Sequence, residues 1–412
     1  MASTTSRRRF LGGAAGIAGL AAAGGTGFGI ARANEPSSSA PSHVVPFYGK
    51  HQAGIATPAQ DRLAFAAFDL TSTDSTAVQE LLGTWAAAAA RMTTGQPIGA
   101  VETVPSRPPI DTGEAMGLSA ARLTITVGFG GSFLDKLGMQ RKRPAALLDI
   151  PALPGDELQP SRSGGDLCVQ ACADDPQVAF HAIRNFARLA RGTAVMRWSQ
   201  LGFGRTSSTS RAQDTPRNLM GFKDGTDNLK AEDGKELDEF VWVGDETDQA
   251  WMRGGSYLVA RRIRMLIESW DTDDLADQER VIGRIKTSGA PLGGAHEFDS
   301  PGLVAKSKSG APVIDVNAHI RLAAPSSNGG QKILRRGYSY TDGIDSETGL
   351  LDAGLFFLAY QQNAHKQFVR IQHQLGSSDL LNEYIRHTSS ALFAIPPGLT
   401  GPGDWYGKAL FA

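Results

Sequence analysis

Two strand and helix pairs in the first half of the chain recur in the second half, and this duplication restricts the fold more than any other feature of the sequence. Each pair is an apolar run of strand length followed by a segment with helical periodicity. The pairs cover residues 62–70 with 75–92, 166–173 with 177–189, 256–264 with 273–285, and 353–360 with 364–375. We therefore predict an α+β fold of two tandem ferredoxin-like halves, residues 60–220 and 221–412, with helices covering one side of antiparallel sheets.

The chain is long enough to bury a sizeable core, and its charge argues against nucleic acid as a partner. It has 412 residues, of which 41% are hydrophobic, and a formal net charge of −1. Residues 1–33 hold four arginines and no acidic residue, so the remainder carries −1 − 4 = −5. A mildly acidic protein without basic runs is a poor ligand for nucleic acid.

The first 33 residues are typical of a twin-arginine export signal. The run SRRRFL at 6–11 carries the twin-arginine pattern, a stretch rich in glycine and alanine follows at 11–30, and Ala31, Arg32 and Ala33 form a cleavage site. A membrane anchor is the alternative, but the stretch is weakly apolar for a spanning helix. We predict cleavage after Ala33, export of the folded protein to the periplasm, cell surface or medium, no integral membrane segment, and a flexible tether at 34–59.

Cys168 and Cys172 lie four residues apart in the predicted strand at 166–173. They share one face of that strand, but a rise of about 3.3 Å per residue separates their α-carbons by roughly 13 Å, too far for a disulfide. The spacing also lacks the second pair expected of a zinc site. We predict two small core residues.

Three side chains suited to iron chemistry fall in the second half. His319, in the run 315–340, offers an imidazole to heme iron; Asp224, in GFKDGTDN, offers an acid/base group; and Arg335 or Arg336 offers a fixed cation. Two of them have a plainer interpretation, because a buried histidine is usually a hydrogen-bonded core residue and DGTDN has the composition of a turn. Neighbouring strand residues face opposite ways, so only one arginine can face the site, and chain geometry does not choose between them.

Five segments resemble the dye-decolorizing peroxidases, in particular the exported branch associated with iron systems. The segments are GFKDGTDN, GGSYLVARRIRM, AHIRLAAP, ILRRGYSYTDG and GLFFLAYQ, and the similarity extends from about residue 60 to the C-terminus. The resemblance implies a dimeric α+β barrel-like fold with one heme b per chain, held by the second half. It also implies His319 as the axial ligand of the heme iron, with Asp224 and Arg335 as catalytic residues on the distal side.

The resemblance further assigns residues to the heme surroundings. The expected contacts are Gly225, Thr226, Asp227, Ala324, Pro325, Ser326 and Arg335. At 324–326 many relatives have asparagine, proline and arginine, and the arginine lies near a heme propionate. This chain lacks that arginine, which leaves Arg253 or Arg321 as substitutes.

Four more side chains are candidates for the surroundings of the heme, and for each an alternative role stays open. Asp352 either accepts a hydrogen bond from His319 or caps a strand. One ring of Phe356 and Phe357 covers the distal face, or both belong to the core. His296 is the main competitor of His319, and it either lines the distal side or a substrate channel or is held within a loop by local hydrogen bonds.

The expected activity is that of a heme peroxidase. Hydrogen peroxide oxidises the heme to a ferryl intermediate, and small organic donors such as dyes or phenols return the electrons. One alternative is a deferrochelatase that releases iron from heme within an iron-uptake system. Another is a non-catalytic heme carrier, against which Asp224 argues because binding alone needs no acid/base group. A homo-oligomer is a further expectation.

Overall fold

The computed structural model describes residues 43–412. The predicted export signal, its cleavage site and the first part of the predicted tether lie outside the described residues. Within 43–412, no helix has both the length and the apolar character needed to cross a membrane.

The first half contains four strands and three α-helices, and the predicted strand and helix pairs are present. The strands are β1 (Arg62–Leu70), β2 (Thr124–Phe129), β3 (Leu167–Ala173) and β4 (Ala194–Arg205). The helices are α1 (Ser75–Met92), α2 (Gly131–Lys136) and α3 (Pro176–Leu189). Aspartate side chains define where the two long helices begin: Asp74 accepts a hydrogen bond from Thr76 N and Asp175 accepts one from Gln177 N.

The second half contains six strands and six α-helices, most of them shorter. The strands are β5 (Ser256–Met265), β6 (Leu334–Arg335), β7 (Tyr338–Ile344), β8 (Leu351–Gln361), β9 (Ile385–His387) and β10 (Ala391–Ile395). The helices are α4 (Gly234–Phe240), α5 (Ile267–Trp270), α6 (Leu275–Ile282), α7 (His319–Ala323), α8 (Phe368–Ser378) and α9 (Lys408–Phe411).

The ten strands form one antiparallel sheet that closes on itself. Their order is β6, β8, β7, β4, β1, β3, β2, β10, β5, β9, and β5 also pairs with β8. This last pairing joins Tyr257 to Gln361 and continues to Arg264 and Gly354. Closure leaves an inner face whose core draws on strands of both halves. The predicted antiparallel α+β architecture is confirmed.

Large aromatic side chains fill the inside of the closed sheet. Phe65, Tyr338, Phe356 and Phe393 are all fully buried there. Cys168 and Cys172 belong to the same cluster, and both are free and buried, as the strand spacing predicts. A second core lies outside the sheet, beneath α1 and α3.

Residues 43–59 are part of the fold and not a tether. Ile55 is 1% exposed, and the side chain of Gln52 donates to Val127 O and Pro396 O at 3.0 and 2.9 Å. The ring of His51 stacks on Trp242 with centroids 3.8 Å apart. The prediction of a flexible tether is therefore wrong for these residues, because apolar and amide side chains within the segment find partners in both halves.

Candidate active site

A cavity of about 520 Å³ lies in the second half, between the outer face of the sheet and the helices α7 and α8. Its volume falls in the range typical of cofactor sites, roughly 300 to 1,000 Å³. Much of the wall is apolar, formed by Ile263, Met265, Ile320, Leu355, Phe357, Phe368, Ile371 and Leu375. Polar side chains from the loop at 218–228, from α7 and from β6 complete it.

His319 is the first residue of α7 and lines the cavity. Its Nδ1 lies 2.6 Å from Oδ2 of Asp379, a carboxylate that is only 1% exposed. Burial acts to lower the pKa of His319, but the charge and hydrogen bond of Asp379 outweigh it and the net pKa is raised. Since Asp379 occupies Nδ1, Nε2 is the ring nitrogen left for a ligand in the cavity.

Asp379 is itself fixed by the start of a short turn. Its Oδ1 accepts a hydrogen bond from Leu381 N at 2.9 Å, so one carboxylate oxygen caps the turn and the other holds the imidazole. Such an arrangement orients a metal-binding histidine and raises its basicity.

Asp224 and Arg335 meet in the same cavity. Arg335 Nη1 donates to Asp224 Oδ1 at 2.8 Å, and Asn218 Nδ2 donates to Oδ2 at 3.3 Å. The backbone N–H of Asp224 donates to Pro216 O at 2.9 Å, which closes the loop on which it lies. Arg335 belongs to β6, whose pairing with Ala359 of β8 fixes its direction.

Arg336 points the other way, into the closed sheet. It is fully buried, and its guanidinium donates to Thr57 O and to Oε1 of Gln60. The alternation of strand side chains thus separates the two arginines, with Arg335 at the cavity and Arg336 in the core.

The other residues expected around the heme also line the cavity: Gly225, Thr226, Asp227, Ala324, Pro325 and Ser326. Gly225 has a φ of +87°, and a Cβ there would lie 2.8 Å from the α-carbon of Ser207. The glycine is therefore required by the packing of the loop on Ser207 as well as by its left-handed backbone.

Comparison with known proteins gives the family. The profile of the Dyp-type peroxidase N-terminal domain matches residues 52–204, and that of the C-terminal domain matches residues 215–400. The chain belongs to the Dyp-type peroxidase family. The resemblance identified in the sequence is confirmed, and with it the enzyme class of peroxidase.

Relatives of both expected kinds are similar to this Dyp-type peroxidase. A dye-decolorizing peroxidase from Thermobifida fusca (strain YX) is 42% identical over 363 residues, 85% of this chain and 81% of its own length. A deferrochelatase from Yersinia pestis bv. Antiqua (strain Nepal516) is 38% identical over 373 residues, 89% of this chain and 84% of its own. The structure of DtpA from Streptomyces lividans, an oxyferrous/water mixed complex, is 41% identical with a TM-score of 0.82, covering 90% of this chain and 98% of that one.

Dyp-type peroxidases bind heme, and the cavity fits that cofactor. The free ring nitrogen of His319 is suited to bind the heme iron, and the apolar wall is suited to contact the porphyrin. The cavity also contains a buried cation with unused donors. Arg284 is 7% exposed, and within 43–412 its hydrogen bonds to Gly289 O and Glu297 O both come from Nη1, at 2.7 and 3.0 Å.

Three candidates named from the sequence do not have the roles considered for them. Asp352 does not contact His319; it forms an ion pair with Arg262 at 2.7 Å, and Asp379 takes the predicted role. Arg253 and Arg321 lie outside the cavity wall: Arg253 pairs with Asp245, and Arg321 donates to backbone carbonyls. The cations that do line the cavity are Lys223, Arg284, Lys332 and Arg335.

The two neighbouring phenylalanines of β8 face opposite sides of the sheet, as the alternation of strand side chains requires. Phe357 lines the cavity, whereas Phe356 lies inside the closed sheet. His296 is no competitor for the axial position, because its side chain is 85% exposed and it is not part of the cavity wall. Sequence reasoning missed Asp379 and Arg284, and the only local signal for Asp379 was an aspartate placed to cap a turn.

Proposed function

We propose that this chain is a heme b peroxidase, with one heme in the second half, His319 as the axial ligand and Asp224 and Arg335 as catalytic residues. The observation that carries the proposal is one cavity that holds both a carboxylate-oriented imidazole and the pair of Asp224 and Arg335. The oxyferrous complex described for DtpA supports an iron-centred site in a similar fold.

When bound, the heme supplies the electrons that reduce hydrogen peroxide. Asp224 accepts a proton from one peroxide oxygen and returns it to the other, so that water leaves instead of hydroxide. Arg335 stabilises the negative charge that develops as the O–O bond breaks, and its hydrogen bond keeps the Asp224 carboxylate at the cavity. Organic donors such as dyes or phenols then return the electrons singly.

Other residues orient the cofactor. Arg284 would hold a propionate through its unused donors, as the substitute for the arginine that the segment Ala324, Pro325 and Ser326 lacks. Gly225, Thr226 and Asp227 line the cavity on the loop that carries Asp224, and they would contact the edge of the heme.

An absorption spectrum of the heme-loaded protein tests the proposal, recorded before and after one equivalent of peroxide and again after a donor dye. We expect peroxide to change the ferric spectrum and the dye to restore it while being bleached. Asp224→Ala should keep the heme and slow the peroxide step by about 10²- to 10⁴-fold. His319→Ala with an unchanged axial spectrum would refute the ligand assignment.

A deferrochelatase is the second candidate, because relatives with that name match 89% of the chain at 38% identity. On this hypothesis the protein removes iron from heme bound in the same cavity and leaves the porphyrin intact, and the partner is an iron-uptake system. Product analysis separates the two: an oxidised donor supports the peroxidase, and iron-free protoporphyrin supports the deferrochelatase.

Export through the twin-arginine route is part of the proposal and rests on the sequence of residues 1–33. Transport in the folded state suits a protein that must take up its cofactor before it leaves the cytoplasm. The boundary between the halves at residue 220 and a homo-oligomeric state stay predictions. N-terminal sequencing of exported protein tests cleavage after Ala33.

A further inference from the structure

Glu297 joins the loop of Asp224 to the segment that closes the cavity. That segment, residues 283–318 between α6 and α7, contains neither helix nor strand and lines the cavity with Arg284, Ser300, Pro301 and Leu303. Irregular segments of this length are uncommon in compact domains, and they are usually either functional or linkers. Glu297 Oε1 accepts a hydrogen bond from Thr226 Oγ1 at 3.1 Å, and its Oε2 pairs with Lys223 Nζ.

The two donors flank the proposed acid/base residue. Lys223 comes immediately before Asp224, and Thr226 follows two residues after it. The carboxylate of Glu297 therefore binds the loop on both sides of Asp224. Asp224 itself contacts Arg335 and Asn218, whereas Glu297 binds Lys223 and Thr226.

The contact between Glu297 and Lys223 is largely buried, and further contacts hold both residues in place. The Glu297 side chain is 10% exposed, and the carbonyl of Glu297 accepts a hydrogen bond from Arg284 Nη1 at 3.0 Å. The stem of Lys223 packs on Gly289, where an added Cβ would lie 2.7 Å from Lys223 Cδ. Lys223 is thus held along its stem by Gly289 and at its ammonium by Glu297.

Charge favours the same arrangement. Burial raises the pKa of Glu297, but hydrogen bonds from Lys223, Thr215 and Thr226 outweigh it, and the net pKa is lowered. Glu297 is therefore an anion at neutral pH and neutralises Lys223. Without it, the ammonium of Lys223 would be an unpaired cation next to Asp224 in the chain.

We propose that Glu297 is a positioning residue that acts through Asp224. It fixes the loop at 216–228, which carries Asp224, against the segment 283–318. This inference rests on the proposed function, because it presumes that Asp224 handles the proton. A displacement of about 1 Å at a reacting group can cost about 10²-fold in rate. A residue that restrains both sides of Asp224 can therefore control the rate without touching a substrate.

Cyanide binding to the ferric heme protein tests the inference without turnover. Hydrogen cyanide must lose its proton before the anion binds iron, so its association rate constant reports on the base in the cavity. We expect Glu297→Ala to lower this rate constant about tenfold or more. Glu297→Gln, which keeps the volume and one acceptor, should recover part of the loss. Heme content and the ferric spectrum should not change, since Glu297 contacts neither His319 nor Asp379.

A double-mutant cycle decides how Glu297 acts. If it acts through Asp224, Glu297→Ala should have less than about a twofold effect in the Asp224→Ala background. An equal loss in both backgrounds would overturn the proposal, because Glu297 would then act independently of Asp224. Asp299→Ala is the matched control: Asp299 Oδ2 accepts from Ala295 N and His296 N at 2.7 and 2.9 Å, and both hydrogen bonds lie within the segment 283–318. An equal loss there would mean that general loosening of the segment, and not positioning, explains the effect.

The same data separate this inference from the proposed function. If Asp224→Ala leaves both cyanide and peroxide rates unchanged, the role of Asp224 is wrong and Glu297 has nothing to position. If Asp224→Ala is slow and Glu297→Ala is as fast as the wild type, only the role of Glu297 is wrong.

Discussion

Arg335 Nη1 lies 2.8 Å from Asp224 Oδ1, although 111 residues separate the two in the chain. The pair links a loop to a two-residue strand, β6, so neither side chain depends on the other for its backbone position. An acid/base group held by a permanent cation is a suitable arrangement for moving a proton while negative charge develops nearby.

Replacing Arg335 should therefore impair chemistry more than cofactor binding. We expect Arg335→Leu to retain heme and to react with peroxide about 10²- to 10³-fold more slowly, as when one preorganised donor is lost. Stopped-flow absorption with excess peroxide measures this rate. Arg253→Leu is the matched control, since Arg253 lies outside the cavity and pairs with Asp245; an equal loss there would contradict the assignment.

The adjacent arginine should show the opposite behaviour. Arg336 is fully buried and donates to Thr57 O and Gln60 Oε1, which would both lose a donor inside the closed sheet. We expect Arg336→Met to lower the free energy of unfolding by about 3 kcal/mol, the order of one or more buried unsatisfied groups. Urea unfolding followed by circular dichroism measures it. A stable Arg336→Met protein with slow peroxide chemistry would mean that the two arginines had been assigned the wrong way round.

The strands were predictable because their signal is local. The apolar run at 62–70 coincides with β1, and the four predicted strands all exist. Helix ends were less accurate. Gly283, with a φ of +88°, ends α6 three residues before the prediction. Residues 364–367 form a turn, so α8 begins at Phe368, four residues after the prediction. Closure of the sheet through β5 and β8 joins distant strands, and no local pattern reports it.

The site was predictable only where a motif marked it. His319, Asp224 and Arg335 lie in segments that resemble the family, and the structure brings all three to one cavity. Asp379 could not be found in this way, because it lies 60 residues beyond His319 in a turn whose position depends on tertiary packing. Asp352 was a candidate in the sequence, but at the start of β8 it pairs with Arg262 of β5.

A buried histidine should make stability depend on pH. Burial, aided by the charge of Arg261, lowers the pKa of His387 to about 3. Between pH 6.5 and pH 3 the unfolded chain binds a proton at this residue and the folded chain does not, so stability falls as the pH falls through that window. The full slope for one proton is about 1.4 kcal/mol per pH unit.

Replacing His387 should remove this slope. We expect the unfolding free energy of heme-free His387→Gln to vary less with pH between 6.5 and 4 than that of the wild type, by close to one proton. Urea titrations at several pH values measure the difference. His296→Gln, at a histidine whose side chain is 85% exposed, controls for loss of a histidine as such. Parallel curves for the wild type and His387→Gln would contradict the prediction.

The glycine after Asp224 should tolerate no side chain. Gly225 has a φ of +87°, and a Cβ would approach the α-carbon of Ser207 to 2.8 Å. We expect Gly225→Ala to destabilise the protein by about 1 kcal/mol or more and to slow the peroxide reaction, because the strain is relieved by moving the Asp224 loop. Gly234→Ala is the control, since nothing lies within 4 Å of a Cβ there. Wild-type stability and peroxide rate for Gly225→Ala would show that the loop adapts.

Asp379 should set the electron affinity of the bound heme through His319. The carboxylate lies 2.6 Å from Nδ1, and its negative charge makes the imidazole a stronger donor to iron and favours the higher oxidation state. Asp379→Asn keeps a side chain of the same shape, able to cap the turn at Leu381, but removes the charge. We expect the ferric/ferrous potential to rise and heme affinity to fall by about tenfold, measured by spectroelectrochemical titration and heme transfer. Asp352→Asn is the matched control, because Asp352 pairs with Arg262 and not with His319. A potential that moves with Asp352 and stays constant with Asp379 would show that the interaction between His319 and Asp379 does not tune the iron.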